Sequence, residues 1–276
     1  MNRKHLPIAL IALVSGAAAA APVVDASTWT ETFDVGNAPS LIVDNIWGSI
    51  TVERGRSDTI QMSIAAERRA DDAESFERSK ELIPLRIAQD GNDVFVRVGR
   101  DKQDWWDEAR CEGCRLSVDL VVRVPAGTRL NLATVNNGDI QITDIEGSVT
   151  ASNINGSIAT VGLSRCERLE SINGEIDVAF AGSPATDCHI ETLNGDIGLL
   201  LRDDANAAFE VSLFNGDMRS GLELAARQTK ATVEKTQRGG RNHYDIEQLA
   251  GLELGRGGKT LTLKSLNGDV IVERSP

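Results

Sequence analysis

The chain has 276 residues, of which 41 are acidic and 29 basic, giving a formal net charge of −12. A surface of this sign repels the phosphates of nucleic acids and anionic lipid headgroups, which excludes DNA and RNA as partners. The length fits one or two domains.

The first residues have the layout of a secretory signal peptide. Arg3 and Lys4 are basic, residues 6–14 are apolar, and residues 15–21 are mostly small. The apolar stretch is shorter than the roughly 20 residues that span a bilayer. We therefore expect cleavage after residue 21, or as late as 26, and a periplasmic or secreted mature chain without a membrane span; a retained anchor is the alternative.

Residues 27–130 are predicted to form a β-rich N-terminal part. Alternation of apolar and polar residues indicates strands at 29–35, 41–44, 50–53, 59–65, 94–98 and 116–124. One short helix is predicted over residues 71–82, because this segment is rich in helix formers, begins with Asp71 and precedes Pro84. It would cover an open end of the β structure, where unpaired strands invite aggregation.

This N-terminal part also contains two adjacent tryptophans. In an extended segment Trp105 and Trp106 point to opposite faces, so they do not both fit a core. With the flanking Asp104 and Asp107 they are candidate binding residues for sugar rings or a protein partner. The alternative is a loop folded over the core with one ring buried.

Four cysteines in an exported chain predict two disulfides. Cys111 and Cys114 form a Cys-Glu-Gly-Cys clip. A redox pair would sit at a helix N-terminus, but a strand follows here. A zinc half-site would need two more ligands, for which Cys188 with His189 is the other candidate cluster. We expect a structural disulfide and no metal ligands.

The strongest signal is a repeated apolar–Asn–Gly–polar–apolar motif in residues 131–276. Glycines 138, 156, 174, 195 and 216 are 18, 18, 21 and 21 residues apart, and a fixed period in this range indicates a repeat architecture. The corner pairs are Asn155-Gly156, Asn173-Gly174, Asn194-Gly195, Asn215-Gly216 and Asn267-Gly268, with a looser copy at Gly138 and an early one at Gly48.

Two all-β folds explain the motif. One is a ladder of antiparallel hairpins turning at each Asn-Gly; the other is a β-solenoid-like stack of 18–21-residue coils about 4.8 Å apart. Equal spacing favours the solenoid. In that register Cys166, eight residues before Gly174, and Cys188, seven before Gly195, lie at nearly the same place on neighbouring coils. We therefore predict a Cys166–Cys188 disulfide and a column of stacked asparagines that share amide hydrogen bonds.

The repeat lapses between Gly221 and Lys259. Strands are predicted at 229–235 and 242–247, joined by a turn at Gly239-Gly240. The final coil, residues 260–273, is expected to cap the stack.

The run of Asn-Gly-Asp-Ile motifs, and the closing segment at 255–270 in particular, resembles a bacterial exported β-strand-repeat family labelled putative adhesin. The resemblance covers most of the chain after the signal and implies an all-β repeat fold with no catalytic residues. The Trp-Trp loop and the two disulfides depart from the family pattern.

We expect an exported, non-enzymatic binding or structural module of the cell envelope that presents a flat β surface to a protein or polysaccharide. One alternative is a parallel β-helix enzyme acting on polysaccharide, which needs carboxylates converging on one site. Another is a calcium-stabilised repeat protein with an acidic edge; no other cofactor is expected. The acidic residues that would form this edge are Asp139, Glu175, Asp196, Asp217 and Asp269.

Overall fold

The computed structural model describes residues 22–56, 58–99, 111, 113–227, 233–238, 241–246 and 250–275. In these ranges the chain is nearly all β, with one helix, α1 (Ala73–Leu82). The strands before the repeats are β1 (Val23–Asp34), β2 (Ser40–Asp44), β3 (Ile50–Arg54), β4 (Thr59–Ala70), β5 (Leu85–Asp90), β6 (Asp93–Val98) and β7 (Arg115–Val124). Every strand predicted in this part is present, and β5 is an additional one.

The remaining strands carry the repeats and the excursion before the last repeat. The repeat strands are β8 (Arg129–Asn136), β9 (Ile140–Thr143), β10 (Ser148–Asn155), β11 (Ile158–Leu163), β12 (Arg165–Asn173), β13 (Ile176–Phe180), β14 (Cys188–Asn194), β15 (Ile197–Leu201), β16 (Ala207–Asn215) and β17 (Met218–Ser220). The strands that follow are β18 (Ala225–Ala226), β19 (Val233–Arg238), β20 (Arg241–Ile246), β21 (Ala250–Leu254), β22 (Thr260–Asn267) and β23 (Val270–Arg274).

The strands form two large, mostly parallel sheets. Sheet A has the order β1-β4-β7-β3-β9-β11-β13-β15-β23-β17-β20-β19, and sheet B has the order β18-β21-β16-β22-β14-β12-β10-β8-β2-β6-β5. Inward-facing side chains of both sheets pack into one core, as the period-two alternation of buried residues along β7 illustrates. Because β8, β10, β12 and β14 pair in parallel, the ladder of antiparallel hairpins is wrong for this region.

The predicted helix is present and well capped. The Asp72 carboxylate accepts a hydrogen bond from Ser75 N at 2.7 Å, which satisfies one of the free N–H groups of the first turn. At the other end Arg68 of β4 donates to the carbonyl oxygens of Ser79 at 2.8 Å and Ile83 at 2.9 Å. The helix thus connects β4 in sheet A with β5, the edge strand of sheet B.

Successive repeats are in register at their asparagines. Asn155 lies opposite Asn136 on one side and Asn173 on the other, and Asn173 lies opposite Asn194. The early copy joins the same column, because Trp47 bridges to Asn136. Equivalent corner residues are therefore neighbours in space along one edge of the molecule.

The position of the last repeat differs from the sequence prediction. Strand β22 lies between β14 and β16, and β23 lies between β15 and β17, so the final repeat is inserted into the stack and does not cap it. The last repeat has the full corner motif, so each of its two strands can pair with a repeat strand on either side. The end of the stack is occupied instead by antiparallel strands of the excursion, including the predicted hairpin, β19–β20.

A β-bulge explains the one-residue mismatch between Cys166 and Cys188. Val149 pairs with Cys166, but the next residue, Thr150, pairs with Arg168, which leaves Glu167 as the extra residue on β12. The bulge lets Cys166 face the core, where both cysteines are buried. Their Cα atoms are 5.1 Å apart and the side chains are paired.

Candidate binding surface

Six asparagines form a hydrogen-bonded ladder along the corner edge. Five hydrogen bonds of 2.8 Å join them, each from the Nδ2 of one asparagine to the Oδ1 of the next, always in the same direction along the stack. In spatial order the members are Asn136, Asn155, Asn173, Asn194, Asn267 and Asn215. Asparagine suits this column because its short side chain carries both a donor and an acceptor.

The corner glycines are packed backbone against backbone. A Cβ on Gly174 would overlap the carbonyl oxygen of Gly156, and a Cβ on Gly195 would overlap that of Gly174. The same carbonyls accept hydrogen bonds from inside, with Ser171 Oγ donating to Gly156 O at 3.0 Å and Thr192 Oγ1 to Gly174 O at 2.9 Å. Sequence reasoning missed this polar position, although a Ser, Thr or Asn two residues before the corner asparagine is visible in five copies: Thr134, Asn153, Ser171, Thr192 and Ser265.

The acidic residues after the glycines bind the backbone of the next repeat. Asp139 Oδ1 accepts from Ser157 N at 2.8 Å, and Asp196 Oδ1 accepts from Asp269 N at 2.7 Å. Asp269 Oδ1 accepts in turn from Asp217 N at 2.8 Å. These carboxylates therefore stabilise the stacking of the chain on itself, and they lie along a line instead of around one point.

The apolar residue that precedes each corner asparagine lies on the outside of sheet B. Ile154, Ile172, Leu193 and Leu266 are 39–44% exposed, and Phe214 is 77% exposed. Their strands β10, β12, β14, β22 and β16 are consecutive neighbours, so the five side chains form one column. At a strand spacing of about 4.8 Å this column is roughly 19 Å long. We call these five residues the apolar ridge.

The outer face of sheet A carries a second, shallower apolar surface. Val161 is 57% and Leu200 is 37% exposed, and Ala179 lies between them, paired with both. Asp177 is the acidic residue in the middle of this surface. Partial burial, together with the nearby Asp196 carboxylate, raises its pKa. Its carboxylate occupies space that Gly198 leaves open, because a Cβ there would overlap Asp177 Oδ1.

A compact group of charged residues lies on the outer face of sheet B, on the two strands joined by the disulfide. Glu170, His189 and Glu191 each place a metal-ligating atom within 4.8 Å of the others. His189 Nε2 lies 2.7 Å from Glu191 Oε2. The sequence did not predict this group, since Glu170 and His189 are far apart along the chain and become neighbours only through strand register.

Part of the chain matches a known protein family. Residues 127–251 match the family model described as Toastrack DUF4097. The predicted resemblance to the putative adhesin family is confirmed. No curated protein matches the chain significantly.

Several solved structures are similar at low identity. A putative cell adhesion protein from Clostridium sporogenes ATCC 15579 has a TM-score of 0.41 and 8% identity, over 90% of this chain and 100% of that protein. A putative adhesin from Bacteroides fragilis NCTC 9343 has a TM-score of 0.38 and 10% identity, over 90% and 97%. A putative lipid binding protein from Parabacteroides distasonis ATCC 8503 has a TM-score of 0.25 and 8% identity, over 90% and 97%. Similarities of this size assign no ligand to the chain.

The predicted site residues are only partly within the described chain. Trp105, Trp106, Asp104 and Asp107 lie outside the described residues, as do residues 1–21. The Cα atoms of Cys111 and Cys114 are 5.4 Å apart, so this clip, like the other cysteine pair, is at disulfide distance. None of the helices described here is long and apolar enough to cross a membrane.

Proposed function

We propose that the chain is an exported, non-enzymatic binding module of the cell envelope that uses the apolar ridge to dock a protein partner. In this proposal the module is a β-solenoid-like stack of 18–21-residue coils with Asn-Gly corners. The single observation that carries it is the ridge itself, five large apolar side chains exposed in one column on neighbouring strands. Exposed apolar patches of this kind mark interaction sites on soluble proteins.

The surroundings of the ridge support docking. The adjacent outward row of sheet B is polar, with Glu170 opposite Glu191 and Glu191 opposite Lys264. A polar border around an apolar centre is the usual composition of a protein interface. Neighbouring ridge residues would also stabilise the sheet by packing against each other across the strands. This packing does not account for Phe214 at the end of the column, because most of its side chain stays exposed.

A protein fits the ridge better than a polysaccharide does. Four of the five ridge residues are aliphatic, whereas sugar rings are bound mainly on aromatic faces. The polysaccharide alternative rests on Trp105 and Trp106, which lie outside the described residues. No specific observation favours the enzyme alternative, and the acidic column proposed as a calcium edge already accepts backbone hydrogen bonds through Asp139, Asp196 and Asp269.

A charged double variant of the ridge tests the proposal. Ile172→Lys with Leu193→Lys places two charges in the ridge, and Thr150→Lys with Thr262→Lys places two on the same outer face away from it. Both proteins are expressed with a tag in the source cells, crosslinked, isolated and compared by quantitative mass spectrometry. We expect one protein to be recovered at least tenfold less with the ridge variant, and the purified pair to show the same loss of affinity. Equal recovery with both variants, or a ridge variant that loses stability but no partner, would overturn the proposal.

Export is tested separately. N-terminal sequencing of the protein isolated from the envelope fraction is expected to find a mature chain that begins between residues 22 and 27. An intact Met1 on cytoplasmic protein would contradict this part of the proposal.

A further inference from the structure

We propose that Glu170, His189 and Glu191 form a surface binding site for a divalent transition-metal ion of the Zn²⁺ type. This inference is independent of the apolar ridge and of its partner. It also departs from the sequence prediction, which expected no metal ligands.

The register of two parallel strands creates the site. Glu170 lies directly opposite Glu191, and Arg168 lies opposite His189. Residues two apart on a strand share a face, so His189 and Glu191 point outward together with Glu170. The ligating atoms of the three lie within 4.8 Å of one another. Since zinc binds imidazole nitrogen and carboxylate oxygen at about 2.0–2.2 Å, small side-chain rotations bring all three to one ion.

The disulfide fixes the two strands that supply the ligands. Cys188 directly precedes His189, and Cys166 lies on the same strand as Glu170. Backbone pairing between β12 and β14 continues from Arg168 to Asn173. The backbone is therefore held in place before an ion binds, which lowers the cost of ordering the site.

The charges around the site also favour a cation. Two glutamates directly opposite each other on adjacent strands repel. Arg168 offsets this by an ion pair with Glu170, and Lys264 lies opposite Glu191 on the far side. A bound ion would offset the repulsion between the two glutamates, as Arg168 does without it. The ion would also replace the hydrogen bond between His189 and Glu191. Arg168 is thus a competitor of the metal, and its removal should tighten binding.

The types of metal-ligating atom in the site determine which class of ion it can bind. An imidazole with two carboxylates suits zinc and its neighbours, while calcium requires six to eight oxygen ligands, more than this group offers. The His189 and Glu191 side chains are 21% and 47% exposed. Three protein ligands on an accessible surface leave a coordination position for water or for a donor from another molecule.

Titration of the metal-free, untagged protein tests the site. We expect isothermal titration with ZnCl₂ to give one site per chain that His189→Gln and Glu191→Gln each weaken at least tenfold. Arg168→Gln should tighten it severalfold, and Glu210→Gln on the same sheet face is the matched control. CaCl₂ should show no binding at this site.

A spectroscopic readout separates ligation from folding. Co²⁺ bound to the wild-type protein should give a visible absorption band that is lost in His189→Gln, while circular dichroism shows that the variant keeps its fold. The proposal is overturned if the folded wild-type protein binds no Zn²⁺ at millimolar concentration, or if His189→Gln binds as tightly as the wild type.

Discussion

The side chain of Asn173 donates from Nδ2 to Asn155 Oδ1 and accepts at Oδ1 from Asn194 Nδ2, each at 2.8 Å. The Asn173 side chain must therefore act as a hydrogen-bond donor and a hydrogen-bond acceptor at the same time. Aspartate has the same shape but loses the donor, and it would place a carboxylate against the amide oxygen of Asn155. The link between repeats thus depends on the amide group and not only on the size of the side chain.

Replacing this asparagine with aspartate should destabilise the protein. We expect Asn173→Asp to lower the free energy of unfolding by about 1–3 kcal/mol at neutral pH, because one hydrogen bond is lost and an acceptor is left without its donor. The loss should shrink in acid, where the protonated carboxyl group can donate. Urea unfolding at pH 7 and pH 4 measures both effects, and Asn131→Asp on the exposed face of β8 is the control. Equal losses in the two variants would contradict a role for the ladder.

The contact between successive corner glycines predicts a strong size limit. Gly174→Ala should destabilise the protein by about 2 kcal/mol or more, since the new methyl group would overlap the backbone carbonyl of Gly156, which accepts a hydrogen bond from Ser171 Oγ. Gly182→Ala is the matched control, because nothing lies within 4 Å of its Cβ position. Thermal unfolding compares the two. A tolerated Gly174→Ala would show that the repeats do not pack as closely as described.

The two disulfides should differ in their contribution to stability. The sequence separation is 22 residues for Cys166–Cys188 and 3 for Cys111–Cys114. In the chain-entropy account the longer loop contributes about 3 kcal/mol and the shorter roughly half as much. Non-reducing peptide mapping establishes the pairing, and unfolding of the two double Cys→Ala variants gives the energies. Free thiols at 166 and 188, or a bridge from either to 111 or 114, would contradict the register.

The raised pKa of Asp177 predicts a pH-dependent gain on removing its charge. Its pKa is higher in the folded than in the unfolded chain because partial burial and Asp196 disfavour the anion. The stability that the protonated form provides is therefore present at low pH and lost as the pH rises through the folded pKa. Asp177→Asn should stabilise the protein at pH 7, by less than about 1 kcal/mol since the group is half exposed and screened. The gain, measured by urea unfolding, should vanish near pH 3, and Asp90→Asn in the exposed β5–β6 hairpin is the control variant.

The sequence predicted α1 because its capping by Asp72 is a property of a short segment. The repeated Asn-Gly motif was visible through its regular spacing, but Gly156 and Gly174 do not have a positive φ, so the close backbone packing of these glycines was not predictable from local chemistry. The insertion of β22 and β23 was not predictable, because copies with the same motif can pair in any spatial order. The parallel pairing was favoured by the equal spacing of the glycines, which a hairpin ladder does not require.

The candidate sites were harder to predict than the fold. Alternation indicates which residues face inward along a strand, but it does not say that the apolar residue before each corner, such as Leu193, faces out. Glu170 and His189 become neighbours through the parallel pairing of β12 and β14, whose register runs without a shift from the corner pair Asn173–Asn194 back to Arg168 and His189. Both surfaces are products of register, and register was visible in the sequence only at the corners.

Photocrosslinking at position 214 shows whether the apolar ridge contacts another protein in the cell. Phe214 is 77% exposed on the ridge, so p-benzoylphenylalanine at this position can place its added benzoyl group in solvent. Val24, which is 51% exposed on β1, is the control position. We expect irradiation of cells to yield an adduct of this chain with one other protein from position 214, in an amount reduced by Leu193→Lys, and no adduct from position 24. No adduct from position 214 in folded protein, an adduct only with a second copy of the chain, or equal adducts from both positions would contradict it.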